Sequence, residues 1–291
     1  MVAIRLEGRL GNQLFQYAFI YSSAKKLGTK FYIDQYIEPF TAGKYFNNLN
    51  KTASPVEGLF RIKGFKNIFS FHLRRLYYRL ALHLFKLTTV VYDGLILPAE
   101  IKPENNTMYQ GFFQSELFFA PFKNEIRNNL TLKSKFINEF KLRYGKLYQN
   151  NQIVTVHIRR TDYLHLGHLN LGGNDLSLPI GYYKKAIENF SGQNVTFVFI
   201  SDDVPFVEEN FKHVTSKIIS TDTEIMDFQH LINADACIIS NSTFSWWGAW
   251  LNNKPNKKVF APKYAMGWRI KQDYPKNMYP TDWEIVDFLN D

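Results

Sequence analysis

Apolar residues fall along this chain in short continuous runs that alternate with longer stretches at helical spacing. Val2 to Leu6 is such a run, Gly8 to Asn12 is a glycine-punctuated turn, and Leu14 to Leu27 repeats with a helical period before a second run at Phe31 to Asp34. The pattern is irregular from Pro39 to Phe60. It then resolves into an amphipathic stretch at Phe69 to Leu87, with Phe69, Leu73, Leu76, Leu80, Leu84 and Leu87 on one stripe and Arg75, Arg79, His83 and Lys86 opposite.

Beyond Lys135 a helix is predicted to about Tyr144, followed by the polar stretch 145–152, which reads as a linker. Alternation is then regular: strands at Ile153–Arg159, Val195–Ser201, His213–Ile219, Cys237–Ser240 and Lys258–Ala261, with helices at Ile180–Phe190, Val204–Phe211, Thr223–Asn233 and Phe244–Leu251. Strands this continuously apolar suit a parallel sheet covered on both faces. The expectation is an α/β protein of two domains, 1–150 and 151–291, with the basic helix inserted in the first.

Composition narrows the class. Of 291 residues 45% are hydrophobic and 21% charged, which excludes intrinsic disorder. The single cysteine, Cys237, forms no internal disulfide and no cysteine-based metal site. No run approaches the ~18 apolar residues of a membrane span, and Arg5, Glu7 and Arg9 occupy the place of a signal peptide's apolar core. These features predict a cytoplasmic protein. The net charge of +9 is concentrated between Gly58 and Tyr92, where there is no acid, and it favours anionic partners. The helix at 69–87 accordingly has three readings. It packs on the first domain with a solvated cationic face, it contacts an anionic membrane surface, or, least favoured for want of any binding motif, it binds nucleic acid.

Ligands of open parallel sheets sit beyond the carboxyl ends of the strands, and four polar clusters occupy such positions. His157, Arg159, Arg160 and Asp162 run off the strand at Ile153, offering guanidinium forks to a phosphate; the plain alternative is an Arg–Asp ion pair at an exposed strand end. Ser201, Asp202 and Asp203 follow the next strand, where a carboxylate can hold a ribose or a guanine edge, or merely cap a helix. The run Ser240-Asn241-Ser242-Thr243-Phe244-Ser245-Trp246-Trp247 gathers hydroxyls at a helix N-terminus, an anion site, and exceeds what capping requires. At least one of its tryptophans is expected in the core. Gly8-Arg9-Leu10-Gly11-Asn12-Gln13 is neither a P-loop nor a full dinucleotide fingerprint, but its small turn admits a ligand close to the backbone. No Asp-x-Asp metal clamp and no metal-ligand spacing of His or Cys occurs, so a diphosphate leaving group has to be neutralised by arginines and helix N-termini.

Together GRLGNQLFQYA, VHIRRTDY, SDD and DFQHLINADACIISNSTFSWWGAWL resemble the α-1,2-fucosyltransferases of glycosyltransferase family 11. The His-x-Arg-Arg-x-Asp element is shared with α-1,6- and protein O-fucosyltransferases, whereas the NSTFSWWGAWL run is more specific. The resemblance spans Gly8 to Leu251; about Thr41 to Glu100 matches nothing recognisable. It implies a GT-B fold, two Rossmann-like domains facing across a cleft. It also implies GDP-L-fucose as donor, inversion at the anomeric carbon, no metal or other cofactor, and O2 of a terminal β-galactoside as acceptor, carried on a surface polysaccharide or lipid-linked oligosaccharide of a bacterium.

By motif, Arg159 meets the pyrophosphate with Arg160 beside it and Asp162 orienting the pair. His157 lies by the nucleotide, Asp227 and one of Asp202 and Asp203 hold the guanosine, and Ser242, Thr243 or Ser245 contacts the β-phosphate. Arg9 and Asn12 close on the donor from the first domain. Glu7, Asp162 and the diphosphate itself are all candidates for the base. The rivals are another inverting GT-B transferase with a different donor or linkage, and a non-catalytic nucleotide-sugar or glycan-binding protein.

Overall fold

The computed structural model describes residues 1–47, 49, 76, 79–80, 82–92 and 100–289, and the chain divides into two compact units, Met1–Thr131 and Leu132–Asp291.

The first unit contains β1 (Val2–Arg5), α1 (Leu10–Lys26), β2 (Phe31–Asp34), α2 (Ala42–Tyr45), β3 (Thr88–Val91), β4 (Thr107–Gln110) and α3 (Lys123–Asn129). Its four strands are parallel in the order β2-β1-β4-β3. The strands β3 and β4 lie where the hydrophobic pattern predicted none, because TTVV and TMYQ each carry two polar residues and form no continuous apolar run. Gly8 turns the chain out of β1 with φ of +74°, a conformation that disfavours other residues. Arg9 then enters α1 in extended backbone. Two buried amides fix that entry. The Gln13 side chain donates to the Gly8 and Pro39 carbonyls and accepts from the Thr41 amide, and Gln16 accepts from the Glu7 amide and donates to the Gly111 carbonyl.

The basic helix expected over 69–87 lies largely outside the described residues. Of those described, Leu82, Phe85 and Leu87 pack against Ala3, Tyr32 and Met108, while Leu76, Leu80 and Leu84 are exposed. The reading in which the Phe69–Leu87 stripe packs on the first domain holds at Leu87 but is corrected at Leu76, Leu80 and Leu84. Leucines at 80, 82 and 84 fall on both sides of a helix, so periodicity alone could not choose the buried face.

The second unit contains α4 (Ser134–Asn150), β5 (Gln152–Ile158), α5 (Ile180–Glu188), β6 (Val195–Ser201), α6 (Val204–Asn210), β7 (Lys217–Ser220), α7 (Glu224–Asn233), β8 (Ala236–Ile238), α8 (Thr243–Leu251), β9 (Lys258–Pro262) and β10 (Glu284–Val286). Its six strands are all parallel, in the order β10-β9-β8-β5-β6-β7. The aromatic helix α8 is core: Trp246, Trp247 and Trp250 are each at most 1% exposed, and the Trp246 indole donates to the Met278 carbonyl.

The stretch read as a linker is helical through Asn150. Tyr144 and Tyr148 of α4 pack on His230 of α7, and the Gln229 amide of α7 reaches the Phe136 carbonyl of α4. The division between the units accordingly falls at Thr131/Leu132 rather than at 150. Among the described residues no helix is long and apolar enough to cross a membrane.

Candidate functional site

In the second unit the chain lays down β5, β6 and β7 in one direction and then returns to place β8 on the other side of β5. The gap beyond the carboxyl ends of β5 and β8 is therefore a topological switch point, where open parallel sheets bind ligands. His157 spans it: its Nδ1 lies 2.8 Å from the Ser240 Oγ that follows β8, and its ring lies 5.5 Å from that of Phe244. Burial, reinforced by the charge of Arg159, pushes the His157 pKa down to about 3, so this imidazole is neutral.

Arg159 and Arg160, adjacent where β5 ends, take different partners. The Arg159 guanidinium bonds Asp162 at 2.7 Å and Asp202 at 3.2 Å and lies over the Tyr163 ring. Arg160 is held 3.0 Å from Asp203 and 3.8 Å above the Phe206 ring. Asp203 also caps α6, accepting from the Phe206 amide. Asp202 accepts from the backbone of the Arg loop. Burial opposes its ionisation, but the Thr161 hydroxyl, the Arg160 amide and the Arg159 charge outweigh that and hold its carboxyl below the usual range. Tyr163, half-buried, has its pKa pushed up to about 12 chiefly by burial; it donates to the Asn241 carbonyl and so ties the Arg loop to the turn before α8.

Of the three hydroxyls expected at that turn, Ser242 caps α8 by accepting from the Phe244 amide. Ser245 is wholly buried and donates to the Ser242 carbonyl. Thr243, the first helical residue, is half-buried at the helix N-terminus. Asp227 lies off the far side of the switch point, in the first turn of α7, where it accepts from Ser220 at 2.5 Å. Burial pushes its pKa up to about 6. Nearby, Asp222 binds Arg143 and Tyr144 of α4.

The structure thus brings His157, Arg159, Asp162, Asp202 and the Ser242–Ser245 turn to one sheet edge. Arg9 and Asn12 belong to the first unit. There Arg9 is exposed, Asn12 accepts from the Gln114 amide at 2.9 Å, and Glu7 accepts from Gln110. Sequence reasoning placed Ser240 and Asn241 in the candidate turn but missed Ser240 as the partner of His157, and it missed Tyr163 as the residue that ties the Arg loop to Asn241. Only strand adjacency reveals the first. A tyrosine next to Asp162 was the available signal for the second.

The sequence profile of Glycosyl transferase family 11 matches residues 1–286. The O-antigen biosynthesis glycosyltransferase WbnK of Escherichia coli is 29% identical over 290 residues, covering 89% of this chain and 92% of that protein. An Escherichia coli alpha-1,2-colitosyltransferase is 28% identical over 280 residues, covering 90% and 91%. Among solved structures, the alpha-1,6-fucosyltransferase NodZ soaked with GDP-fucose, an enzyme from Bradyrhizobium, aligns with TM-score 0.50 and 15% identity over 86% of this chain and 92% of its own. Both units share in that likeness, and the fold is of the GT-B type. By its near-complete match to the family profile, the chain belongs to glycosyl transferase family 11.

Proposed function

We propose that this glycosyltransferase moves L-fucose from GDP-β-L-fucose to O2 of a terminal β-galactoside, with inversion and without a metal. The observation that carries the reading is the Arg159 guanidinium at the sheet's switch point, braced by Asp162 and Asp202 and tied through Tyr163 to the turn that opens α8. As GDP departs, negative charge grows on the β-phosphate while the sugar becomes oxocarbenium-like. A fixed guanidinium and the N-terminus of α8 bind that charge best in the transition state. Neutral His157 offers its ring to the nucleotide, and Asp227 accepts from the guanine edge. Ser242 or Thr243, at the start of that turn, contacts the β-phosphate, while Ser245 donates to the Ser242 carbonyl inside the helix. Arg160, engaged with Asp203 and Phe206, supports the loop. The acceptor is a repeat unit of a surface polysaccharide, a reading supported by the O-antigen relative.

The test is transfer from GDP-fucose to lactose in buffer with excess EDTA, with the linkage read by NMR. An α-1,2-fucosylated product at an unchanged rate is expected; a large loss on chelation contradicts the arginine-for-metal argument. One specific observation, the similarity to an alpha-1,2-colitosyltransferase, favours a second reading in which the donor is GDP-colitose. Colitose lacks the 3-hydroxyl of fucose, so parallel assays with the two donors separate the readings.

A further inference from the structure

We propose that Asp202 is a positioning residue that holds Arg159, and the loop carrying it, in the geometry that meets the donor diphosphate, and that it does not touch the nucleoside. The proposal rests on the reading of Arg159 as the diphosphate ligand.

The strand register sets the arrangement. β5 and β6 run parallel with Ile158 opposite Ser201, so Arg159 and Asp202 leave the sheet side by side. One carboxylate oxygen of Asp202 accepts from the Arg160 amide at 2.9 Å. The other accepts from the Thr161 amide at 3.2 Å and the Thr161 hydroxyl at 2.5 Å, and lies 3.2 Å from the Arg159 guanidinium. Four donors from three consecutive residues converge on one side chain. A carboxylate offers about four acceptor positions, two on each oxygen; the loop's donors crowd Oδ2 and take one position of Oδ1, so most of the carboxylate's capacity is spent on building the loop. The neighbouring acid has a separate task, since Asp203 caps α6 and pairs with Arg160. The two aspartates therefore serve one arginine each. Asp162 holds the Arg159 fork from its other side at 2.7 Å, and a guanidinium fixed between two carboxylates is preorganised for an anion.

Asp202→Asn is the informative substitution, because it retains an oxygen for the Arg160 amide while turning an amide NH2 towards the Thr161 amide and the Arg159 guanidinium, both donors. GDP dissociation constants would be measured by calorimetry on the full chain for the wild type, Asp202→Asn, Arg159→Lys and the double variant. The expected result is at least a tenfold loss of affinity from Asp202→Asn in the wild-type background and less than twofold in the Arg159→Lys background, the non-additivity of residues acting through one another. In turnover, kcat should fall while the KM for the acceptor stays within twofold, a split that general loosening of the fold would not produce. An equal loss in both backgrounds would show an independent nucleotide contact and overturn the proposal, as would undiminished affinity in Asp202→Asn. If Asp202→Asn does not fold, Thr161→Val removes one of the four donors and carries the same cycle, with about a threefold or greater loss expected only where Arg159 is present. Failure of the wild type to bind GDP at all overturns the nucleotide reading itself, an outcome distinct from the other two.

Discussion

At the scale of single residues, the site depends on how burial sets charge. Arg159 carries permanent charge to the switch point, and on the proposed reading it meets the departing diphosphate, where removing one such donor costs about two to three orders of magnitude in rate. Arg159→Ala is therefore expected to lower kcat by at least that factor with the melting temperature nearly unchanged; turnover close to wild type would refute the donor-site assignment. Asp227 behaves oppositely, because burial raises its pKa to about 6. The folded state favours the protonated form, so the stability linked to this group is fully present below the ordinary carboxylate range and is lost as pH rises through about 6. In the absence of nucleotide, Asp227→Asn should stabilise the protein at pH 8 by up to roughly 3 kcal/mol, about 1.4 per unit of pKa. The gain should vanish by pH 4, while GDP affinity at pH 8 falls. Thermal melts across that range check the sign. His157, with its pKa pushed down to about 3, should contribute no inflection near pH 6.5 to the rate profile.

At the scale of elements, close contact between α7 and α8 keeps the turn that opens α8 in place. A Cβ on Gly248 would lie 2.5 Å from the Leu231 Cβ, which is anchored to backbone and cannot rotate away. Gly248→Ala is expected to destabilise by about 1–3 kcal/mol, the ordinary cost of overpacking, measurable as a lower urea midpoint at constant slope. Elements whose side chains carry a clear period were legible before any coordinates. β2 and β6 coincide with the predicted ranges, and α5 and α6 begin where predicted. Those that failed did so for physical reasons. The polar half of α4 is helical because Tyr144 and Tyr148 find a tertiary surface around His230, and β3 and β4, half of whose residues are polar, form no apolar run. The clusters at the strand ends were readable because the carboxyl-end rule needs only strand positions. The division of labour between Arg159 and Arg160, and the pairing of His157 with Ser240, depend on which strands are neighbours. Likewise Gln13 and Gln16 stand in a motif that reads as ligand-facing, yet both amides are buried struts.

At the scale of the whole molecule, the second unit has its own core, a six-stranded sheet with Tyr182, Phe199, Phe211 and Phe260 among its buried residues. It also holds the arginine, histidine and aspartate positions assigned to GDP. The fragment Leu132–Asp291 is therefore expected to melt cooperatively and to bind GDP. An aggregated or noncooperative fragment would show that the core needs the first unit.

The junction at Thr131/Leu132 falls between α3, which ends at Asn129, and α4, which begins at Ser134. A recombination crossover there interrupts neither helix and neither sheet. If Met1–Thr131 selects the acceptor, family members could exchange acceptor halves as intact cassettes while retaining a common donor half. Diversity of surface glycans would then arise by shuffling at a single seam, without point-by-point change in the sugar-nucleotide site.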